Sequence, residues 1–233
     1  YFARPLDTLR VSFEGTLNAL NLARRDKARF LGFSSSEVYG SPSDDQIPTR
    51  EDYYGNVNPQ GWRAPYCEGK RIEETLIDLY ASRYGVDACI VRPFSIYGPG
   101  MTQSDSRVLP QFASAIKQGR PLRVYDEQTR TFCYVTDAIV ACLRAMIRGR
   151  GTFNVGNDKP EISIRSLAGM FAEISPHEIE IEIASHDDSC PASQTLRRCP
   201  DITKIGDELG YHPQVNLHNG LARFLSWALD HYE

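Results

Sequence analysis

The sequence lacks the features that would assign it to a membrane, secretory or nucleic-acid-binding class. No apolar run approaches the roughly 20 residues that a membrane-spanning helix needs. No charged leader followed by an apolar stretch precedes the first predicted helix, so we expect no signal peptide. Lysine and arginine number 26 against 30 aspartates and glutamates, and the net charge of −4 gives no electrostatic basis for binding nucleic acid. We therefore expect neither a nucleic acid nor a membrane among its partners.

Cysteine and histidine occur without the spacing that a disulfide framework or a metal site requires. None of the six cysteines forms a Cys-x-x-Cys pair, and the five histidines do not stand at ligand spacing from them. We predict reduced thiols, a cytoplasmic location and no metal site. The cysteines are Cys67, Cys89, Cys133, Cys142, Cys190 and Cys199.

A glycine-rich phosphate turn is also missing. The pattern Gly-x-Gly-x-x-Gly occurs nowhere in the 233 residues. A dinucleotide site in an α/β protein should begin with such a turn, placed between a strand and a helix. Any dinucleotide held by these residues would therefore lack its usual phosphate cradle.

The apolar periodicity that is present predicts an α/β protein with a parallel sheet. Short buried strands alternate with helices of about 12 residues or more, which implies right-handed crossovers between parallel strands. The predicted strands cover 29–33, 87–91 and 152–155, and the main predicted helices cover 6–25, 65–84 and 135–148. Ligands bind such sheets beyond the carboxyl ends of the strands. Segments 34–37 and 93–98 fall at that edge.

Tyr66 and Lys70 carry the first chemical signal. Four residues make about one helical turn, so both side chains project from the same helix face. A lysine ammonium beside a phenol favours the phenolate, and a phenolate is a usable general base for a sugar hydroxyl. The pattern Tyr-x-x-x-Lys is weak alone and needs support from other segments.

Three segments together resemble the extended short-chain dehydrogenase/reductase family of nucleotide-sugar epimerases, dehydratases and decarboxylases. They are Ser-Ser-Ser-Glu-Val-Tyr-Gly at 34–40, Tyr66-x-x-x-Lys70, and Arg-Pro-Phe-Ser-Ile-Tyr-Gly-Pro at 92–99. The resemblance implies a Rossmann-type parallel sheet lacking its N-terminal strands, with a small C-terminal α/β substrate domain. Residues 1–98 would form the remainder of the NAD-binding domain, with 135–155 returning to it, and 99–233 would mainly bind the nucleotide sugar.

The same resemblance implies bound NAD and a role for each candidate residue. Tyr66 would remove the proton of the sugar's C4 hydroxyl, Lys70 would tune Tyr66 and hold the nicotinamide ribose, and Ser35 would hydrogen-bond the same hydroxyl. The remaining cofactor candidates are Ser34, Pro93, Phe94 and Ser95, and the substrate candidates are Glu37, Arg107, Tyr125, Arg130 and Arg198. Planar guanidinium groups suit the diphosphate and carboxylate of a nucleotide sugar. A homodimer through the helices at 6–25 and 65–84 is also implied.

The pair Ser36–Glu37 discriminates among the reactions of the family. The 4,6-dehydratases carry Asp-Glu here, where Asp protonates the departing C6 hydroxyl and Glu takes the C5 proton. Serine is a poor general acid near neutral pH, so Ser36 disfavours loss of water, whereas a 4-epimerase would leave Glu37 without a task. Decarboxylation needs assistance at C5 but no acid for a leaving hydroxyl, and it suits the pair best.

Segments 54–61 and 66–71 are most similar, within the family, to the UDP-glucuronate decarboxylases. The resemblance thus implies decarboxylation of UDP-glucuronate or a related uronic acid through a 4-keto intermediate. Ser12, Ser95 and Gly100 depart from the decarboxylase pattern, so the identity of the sugar stays open. A nucleotide-sugar 4-epimerase or 4,6-dehydratase is the alternative, and a catalytically inactive Rossmann-fold binding protein is a third hypothesis.

Overall fold

Helices and strands alternate along the chain, of which the structure, a computed structural model, describes residues 3–125, 128–183 and 196–233. The helices are α1 Pro5–Arg10, α2 Thr16–Asp26, α3 Ala64–Tyr84, α4 Val108–Lys117, α5 Val135–Arg148, α6 Ile164–Ile174, α7 Thr203–Leu209 and α8 Leu217–His231. The strands are β1 Phe30–Phe33, β2 Ala88–Pro93, β3 Ile96–Tyr97, β4 Leu122–Val124, β5 Thr129–Arg130, β6 Cys133–Tyr134, β7 Gly151–Val155, β8 Ile162–Ser163, β9 Ile181–Ile183 and β10 Arg197–Arg198. The order confirms the predicted α/β class.

The central sheet consists of β1, β2 and β7 in that order, and all three strands are parallel. Helices α2 and α3 cover one face through residues such as Leu20 and Ile77, which pack near Ile90. Helices α5 and α7 cover the other face around Val91 and Phe153. Burial on both faces is what a parallel sheet requires. Among the described strands, β1 pairs with β2 and stands at one end of this order.

A second apolar core lies apart from the sheet. It gathers fully buried side chains from the segment after the central strand β2 and from the C-terminal third of the chain, among them Phe112, Leu122, Phe171 and Phe224. Helix α7 does not belong to it, because Ile205 and Leu209 pack into the core of the central sheet. In sequence, α7 therefore lies between segments that belong to the second core, although it packs against the central sheet.

The predicted helix at 6–25 is two α-helices joined by a π-helical segment. Residues Val11–Gly15 form that segment between α1 and α2. The N-terminal helices approach α3 closely at Gly69, where a Cβ would lie 2.8 Å from the Ser12 hydroxyl. Glycine permits this contact because it has no side chain to displace.

Several two-residue strands were missed by the apolar pattern. They are β3, β5, β6, β8 and β10, each paired with one or two others in small sheets outside the central one. Two residues are too few to show an alternating pattern, so such pairings are decided by the surrounding fold. Among the described helices, none combines the length and apolar character needed to cross a bilayer.

A buried asparagine ties the last strand of the central sheet to the loops above it. Asn154 in β7 is fully buried, and its amide oxygen accepts a hydrogen bond from the Tyr39 hydroxyl at 2.7 Å. Its amide nitrogen donates to the carbonyl oxygens of Thr49 at 2.8 Å and Asp201 at 3.0 Å. Every polar group of this side chain is thus used inside the protein.

We predict that Asn154→Ala lowers the free energy of unfolding by about 2–4 kcal/mol, because the Tyr39 hydroxyl loses its acceptor and the carbonyls of Thr49 and Asp201 each lose a donor inside the protein. Urea denaturation at pH 7 measures the loss. The matched control is Asn219→Ala on the exposed face of α8, which should change stability by less than about 0.5 kcal/mol. Equal effects of the two substitutions would contradict the role given to the buried amide.

Candidate active site

Polar side chains collect where the strands β1 and β2 end, beside the first turns of α3. Residues 34–37 follow β1 directly, and β2 ends in Arg92 and Pro93. Helix α3 begins at Ala64 with Pro65 in its first turn, where proline's missing N–H has no cost. The helix therefore starts at the sheet edge, and its first two turns carry Tyr66 and Lys70.

Lys70 is anchored to the end of β1. Its ammonium donates to the Phe33 carbonyl oxygen at 2.5 Å and to a Glu73 carboxylate oxygen at 2.8 Å. Glu73 is buried, which raises the pKa of its carboxyl group, and the Lys70 ammonium offsets part of that shift. Tyr66 lies one turn earlier and is half-buried. An ammonium has three N–H groups, so two are accounted for and one is left for Tyr66 or a ribose hydroxyl.

Ser34 and Ser35 are fixed in different ways. The Ser34 hydroxyl donates to a Glu74 carboxylate oxygen at 2.5 Å. The Ser35 hydroxyl caps the short 3-10 helix Ser36–Tyr39 by accepting a hydrogen bond from the Glu37 backbone N–H at 3.2 Å. A capping hydroxyl still has its own proton to donate. Ser35 can therefore serve as a helix cap and also hydrogen-bond a substrate hydroxyl.

Glu37 is a buried carboxylate with a cation on two sides. Its Oε1 atom contacts the Arg63 guanidinium at 2.7 Å and also accepts a hydrogen bond from Arg198. Burial disfavours the charged form, but Arg198, Arg63 and Arg130 outweigh it, so the pKa of Glu37 lies below its usual value. Glu37 is thus an anion at neutral pH. The thiol of Cys67 faces its other oxygen at 3.9 Å.

The substrate arginines predicted from the sequence do not all come together. Arg130 and Arg198 are register partners on the adjacent strands β5 and β10, and both act on Glu37. Arg107 instead pairs with Asp105, two residues earlier, and 60% of its side chain is exposed. Tyr125 is also exposed. The structure thus supports two of the three arginines as members of one cluster.

The turn after β2 has an unusual backbone. Phe94 is buried, its ring centroid lies 5.9 Å from that of Tyr39, and its N–H donates to the Val155 carbonyl oxygen at 2.8 Å. Ser95 has a φ of +39°, a left-handed conformation that side chains with a Cβ seldom adopt. Its carbonyl oxygen accepts a hydrogen bond from the Cys133 N–H. Strained residues of this kind cluster at functional sites.

Sequence reasoning missed Arg63, Glu73 and Glu74. Arg63 stands three residues before Tyr66, and the two glutamates stand three and four residues after Lys70. These are the spacings at which helical neighbours share a face. The spacing of these residues therefore indicated a shared helix face. It could not show which charged side chains on that face point into the protein.

Comparison with known proteins gives one family and a consistent fold. Residues 1–156 match the model of the NAD dependent epimerase/dehydratase family. The chain is 39% identical over 224 residues to UDP-glucuronic acid decarboxylase 6 of Arabidopsis thaliana, covering 95% of this chain and 63% of that relative. It therefore spans less than two thirds of the relative's length.

Solved structures agree on the fold. UDP-glucose 4-epimerase of Thermotoga maritima with UDP-glucose superposes with a TM-score of 0.88 at 22% identity, over 99% of this chain and 73% of the other. UDP-glucuronic acid 4-epimerase of Bacillus cereus, in complex with UDP-glucuronic acid and NAD, gives 0.82 at 23% identity, over 95% and 68%. These likenesses confirm the Rossmann-type fold.

We predict that Glu37→Gln lowers the free energy of unfolding by about 2–4 kcal/mol at pH 7, because two guanidinium groups lose their carboxylate. A carboxyl with a lowered folded-state pKa stabilises the fold above its unfolded pKa, near 4.5, and this stabilisation is lost as the pH falls through the folded value. The difference between wild type and variant should therefore shrink on acidification below about pH 4.5.

Urea denaturation from pH 7 to pH 3 measures this difference. Glu178→Gln is the control, since Glu178 is exposed. Its substitution should change the free energy of unfolding by less than about 0.5 kcal/mol. A difference that stays constant or grows on acidification would show that Glu37 is not held as an ion.

Proposed function

The chain belongs to the NAD-dependent epimerase/dehydratase family, and on that premise we propose that it decarboxylates UDP-glucuronate or a related nucleotide-linked uronic acid. The proposal rests on Ser36 and Glu37 at the end of β1. Glu37 is buried and ionised between arginines, while Ser36 offers no acid for a leaving hydroxyl. The similarity to the plant decarboxylase over 95% of this chain supports the same reading.

NAD is the proposed cofactor, and the donor set of the described residues fits its nicotinamide ribose. Lys70 would hold the ribose hydroxyls with the N–H that Phe33 and Glu73 leave. Ser34 at the end of β1 and residues 93–95 at the end of β2 (Pro93, Phe94 and Ser95) would line the nicotinamide. When bound, NAD would supply a hydride acceptor beside C4 of the sugar and afterwards the hydride that is returned. The donors named here serve the nicotinamide half of the cofactor.

The reaction begins at the C4 hydroxyl of the sugar. Tyr66 as phenolate removes the hydroxyl proton, Lys70 stabilises that phenolate by its positive charge, and Ser35 donates a hydrogen bond to the same oxygen. Oxidation at C4 then makes the C6 carboxylate that of a β-keto acid. The C5–C6 bond breaks, carbon dioxide leaves, and the electron pair passes into an enolate over C5, C4 and the C4 oxygen.

Glu37 acts where the enolate must be protonated at C5. Its carboxylate is held in one orientation by Arg63 and Arg198, so it can accept a hydrogen bond from a water or hydroxyl that delivers the C5 proton. Arg130 and Arg198 would bind the diphosphate, with Tyr125 near the uracil and Arg107 reaching the site from the start of α4. Arg107 is the most exposed of the three arginines, and its guanidinium pairs with Asp105.

The two apolar cores support a division of labour between two parts of the chain. Residues 1–98 with 135–155 would form the remainder of the NAD-binding domain around the central sheet, and 99–233 would mainly hold the nucleotide sugar. The second core draws its buried residues from 97–134 and 167–232, which fits that division. Because α7 packs against the central sheet, the part of the chain around that sheet also includes a segment from within 99–233.

A homodimer is proposed through the outer faces of α2 and α3. Leu22, Ile72 and Leu79 on these helices expose 40–51% of their surface, and a groove of about 790 Å³ lies alongside, lined in part by Phe13 and Tyr54. Apolar side chains grouped on a helix face usually mark an interaction site.

We also propose a reducing, cytoplasmic location for the protein. Free thiols support it, and the described ones are Cys67, Cys89, Cys133, Cys142 and Cys199. Cys190 lies outside the described residues.

We predict that the wild-type protein with NAD converts UDP-glucuronate to carbon dioxide and a UDP-pentose, and that Tyr66→Phe lowers the rate at least about a hundredfold, because the base is lost while the ring remains. Product analysis by mass spectrometry with trapping of carbon dioxide measures both. Tyr84→Phe on the exposed end of α3 is the control and should keep the rate.

Three other results would redirect the assignment. Conversion of a neutral hexose nucleotide without carbon dioxide would indicate a 4-epimerase or 4,6-dehydratase. Absence of turnover together with absence of NAD binding would indicate a binding protein. Near-normal activity of Tyr66→Phe would rule out Tyr66 as the base.

We predict that Leu79→Glu converts the dimer to a monomer, because a carboxylate in the centre of an apolar interface loses its hydration. Light scattering after size exclusion gives the mass directly. Ile147→Glu, at a residue on α5 that is 74% exposed, should leave the mass unchanged. A wild-type protein that is monomeric at micromolar concentration would refute the proposed interface.

A further inference from the structure

We propose that Arg63 recognises the carboxylate of the sugar and thereby selects uronic acids over neutral hexoses. The inference deepens the proposed function and rests on it. The carboxylate in question is the C6 group attached to C5, the carbon at which Glu37 acts. Arg63 and Arg198 both contact Glu37 and so both lie toward C6, and Arg63 is singled out because it stands at the start of the helix that carries Tyr66.

Arg63 stands at the start of the helix that carries the catalytic tyrosine. It is the N-terminal cap residue of α3, and its carbonyl oxygen accepts hydrogen bonds from the N–H groups of Tyr66 at 3.0 Å and Cys67 at 3.1 Å. Its own backbone is helical, so its side chain and that of Tyr66, three residues apart, lie on one face. The guanidinium and the phenol are thereby directed to the same region.

The guanidinium of Arg63 is not saturated with acceptors. One of its terminal nitrogens contacts Glu37 at 2.7 Å, and its plane lies near the ring of Trp62, with 5.4 Å from the guanidinium carbon to the ring centroid. The Nε atom is buried and has no hydrogen-bond partner among the described residues. A guanidinium has five N–H groups, and 28% of this side chain remains exposed to a ligand.

The charges in the site favour contact between Arg63 and a second carboxylate. Glu37 is ionised, and a uronate brings another negative charge to the neighbouring carbon. Two carboxylates in one partly buried site repel each other, and one of them takes up a proton unless a cation lies between them. Arg63 already contacts the first carboxylate through one terminal nitrogen, and 28% of its side chain is exposed, so its outer N–H groups can meet the second. A neutral hexose has no carboxylate to accept hydrogen bonds from those N–H groups, and a binding site with unpaired donors binds such a substrate more weakly.

The diphosphate is the other anion that an arginine could bind, and ligand comparison separates the two. Dissociation constants of UDP-glucuronate, UDP-glucose and UDP are measured by calorimetry for the wild type, Arg63→Gln and Arg63→Lys. We expect Arg63→Gln to weaken UDP-glucuronate binding about tenfold or more and to change UDP-glucose and UDP by less than about twofold. Arg63→Lys keeps the positive charge, so its affinity for UDP-glucuronate should lie between those of the wild type and Arg63→Gln.

Arg83→Gln is the matched control, since Arg83 lies exposed near the other end of α3 and should leave all three constants unchanged. An equal loss for all three ligands would assign Arg63 to the diphosphate or to the fold, and no loss for UDP-glucuronate would remove it from recognition. If Arg63→Gln does not fold, the ratio of UDP-glucuronate to UDP-glucose affinity in Arg63→Lys decides in the same way.

The failure of this inference is distinguishable from the failure of the proposed function. A wild-type protein that releases carbon dioxide while Arg63→Gln keeps its ligand selectivity refutes only the role of Arg63. A wild type that binds UDP-glucose in preference to UDP-glucuronate overturns the uronate assignment, and the role of Arg63 with it.

Discussion

The ion pair between Arg92 and Glu74 holds together the floor of the candidate site. Two short contacts of 2.6 and 2.8 Å join the end of β2 to α3, and the two side chains are only 12% and 15% exposed. A buried charge is costly without its partner, so the two elements have one favourable relative position. Glu74 also receives the Ser34 hydroxyl and Arg92 donates to the Tyr39 hydroxyl. The ends of both strands are thereby fixed against the helix that bears Lys70.

On this floor the protein keeps two carboxylates in opposite electrostatic surroundings. Glu37 is surrounded by arginines, which keep it ionised despite burial. Glu73 is buried with a single lysine and has a raised pKa. In the proposed mechanism, this contrast lets one short stretch of strand end and helix provide an anion near C5 and an anchored, charged ammonium near C4. Such a separation of environments is how acid and base roles are assigned to like groups.

Much of the fold and part of the site could be predicted from the sequence. The three central strands and the helices α3 and α5 follow from apolar runs long enough to show their period. Tyr66 and Lys70 follow from helical spacing. The paired two-residue strands and the π-helical segment could not be predicted, because neither leaves a local pattern. The left-handed backbone of Ser95 was equally hidden, since serine does not favour that conformation.

The sequence by itself determined the α/β class, and it predicted that the candidate site residues lie at the carboxyl edge of the sheet. These follow from chain-local facts: hydrophobic period, turn spacing and side-chain chemistry. Only the tertiary structure decided that Arg63 and Arg198, 135 positions apart in sequence, meet on one oxygen of Glu37, while Arg107 pairs with its neighbour Asp105. The reason is physical, because a guanidinium is equally suited to water, a local carboxylate or a distant one, and only packing chooses its partner.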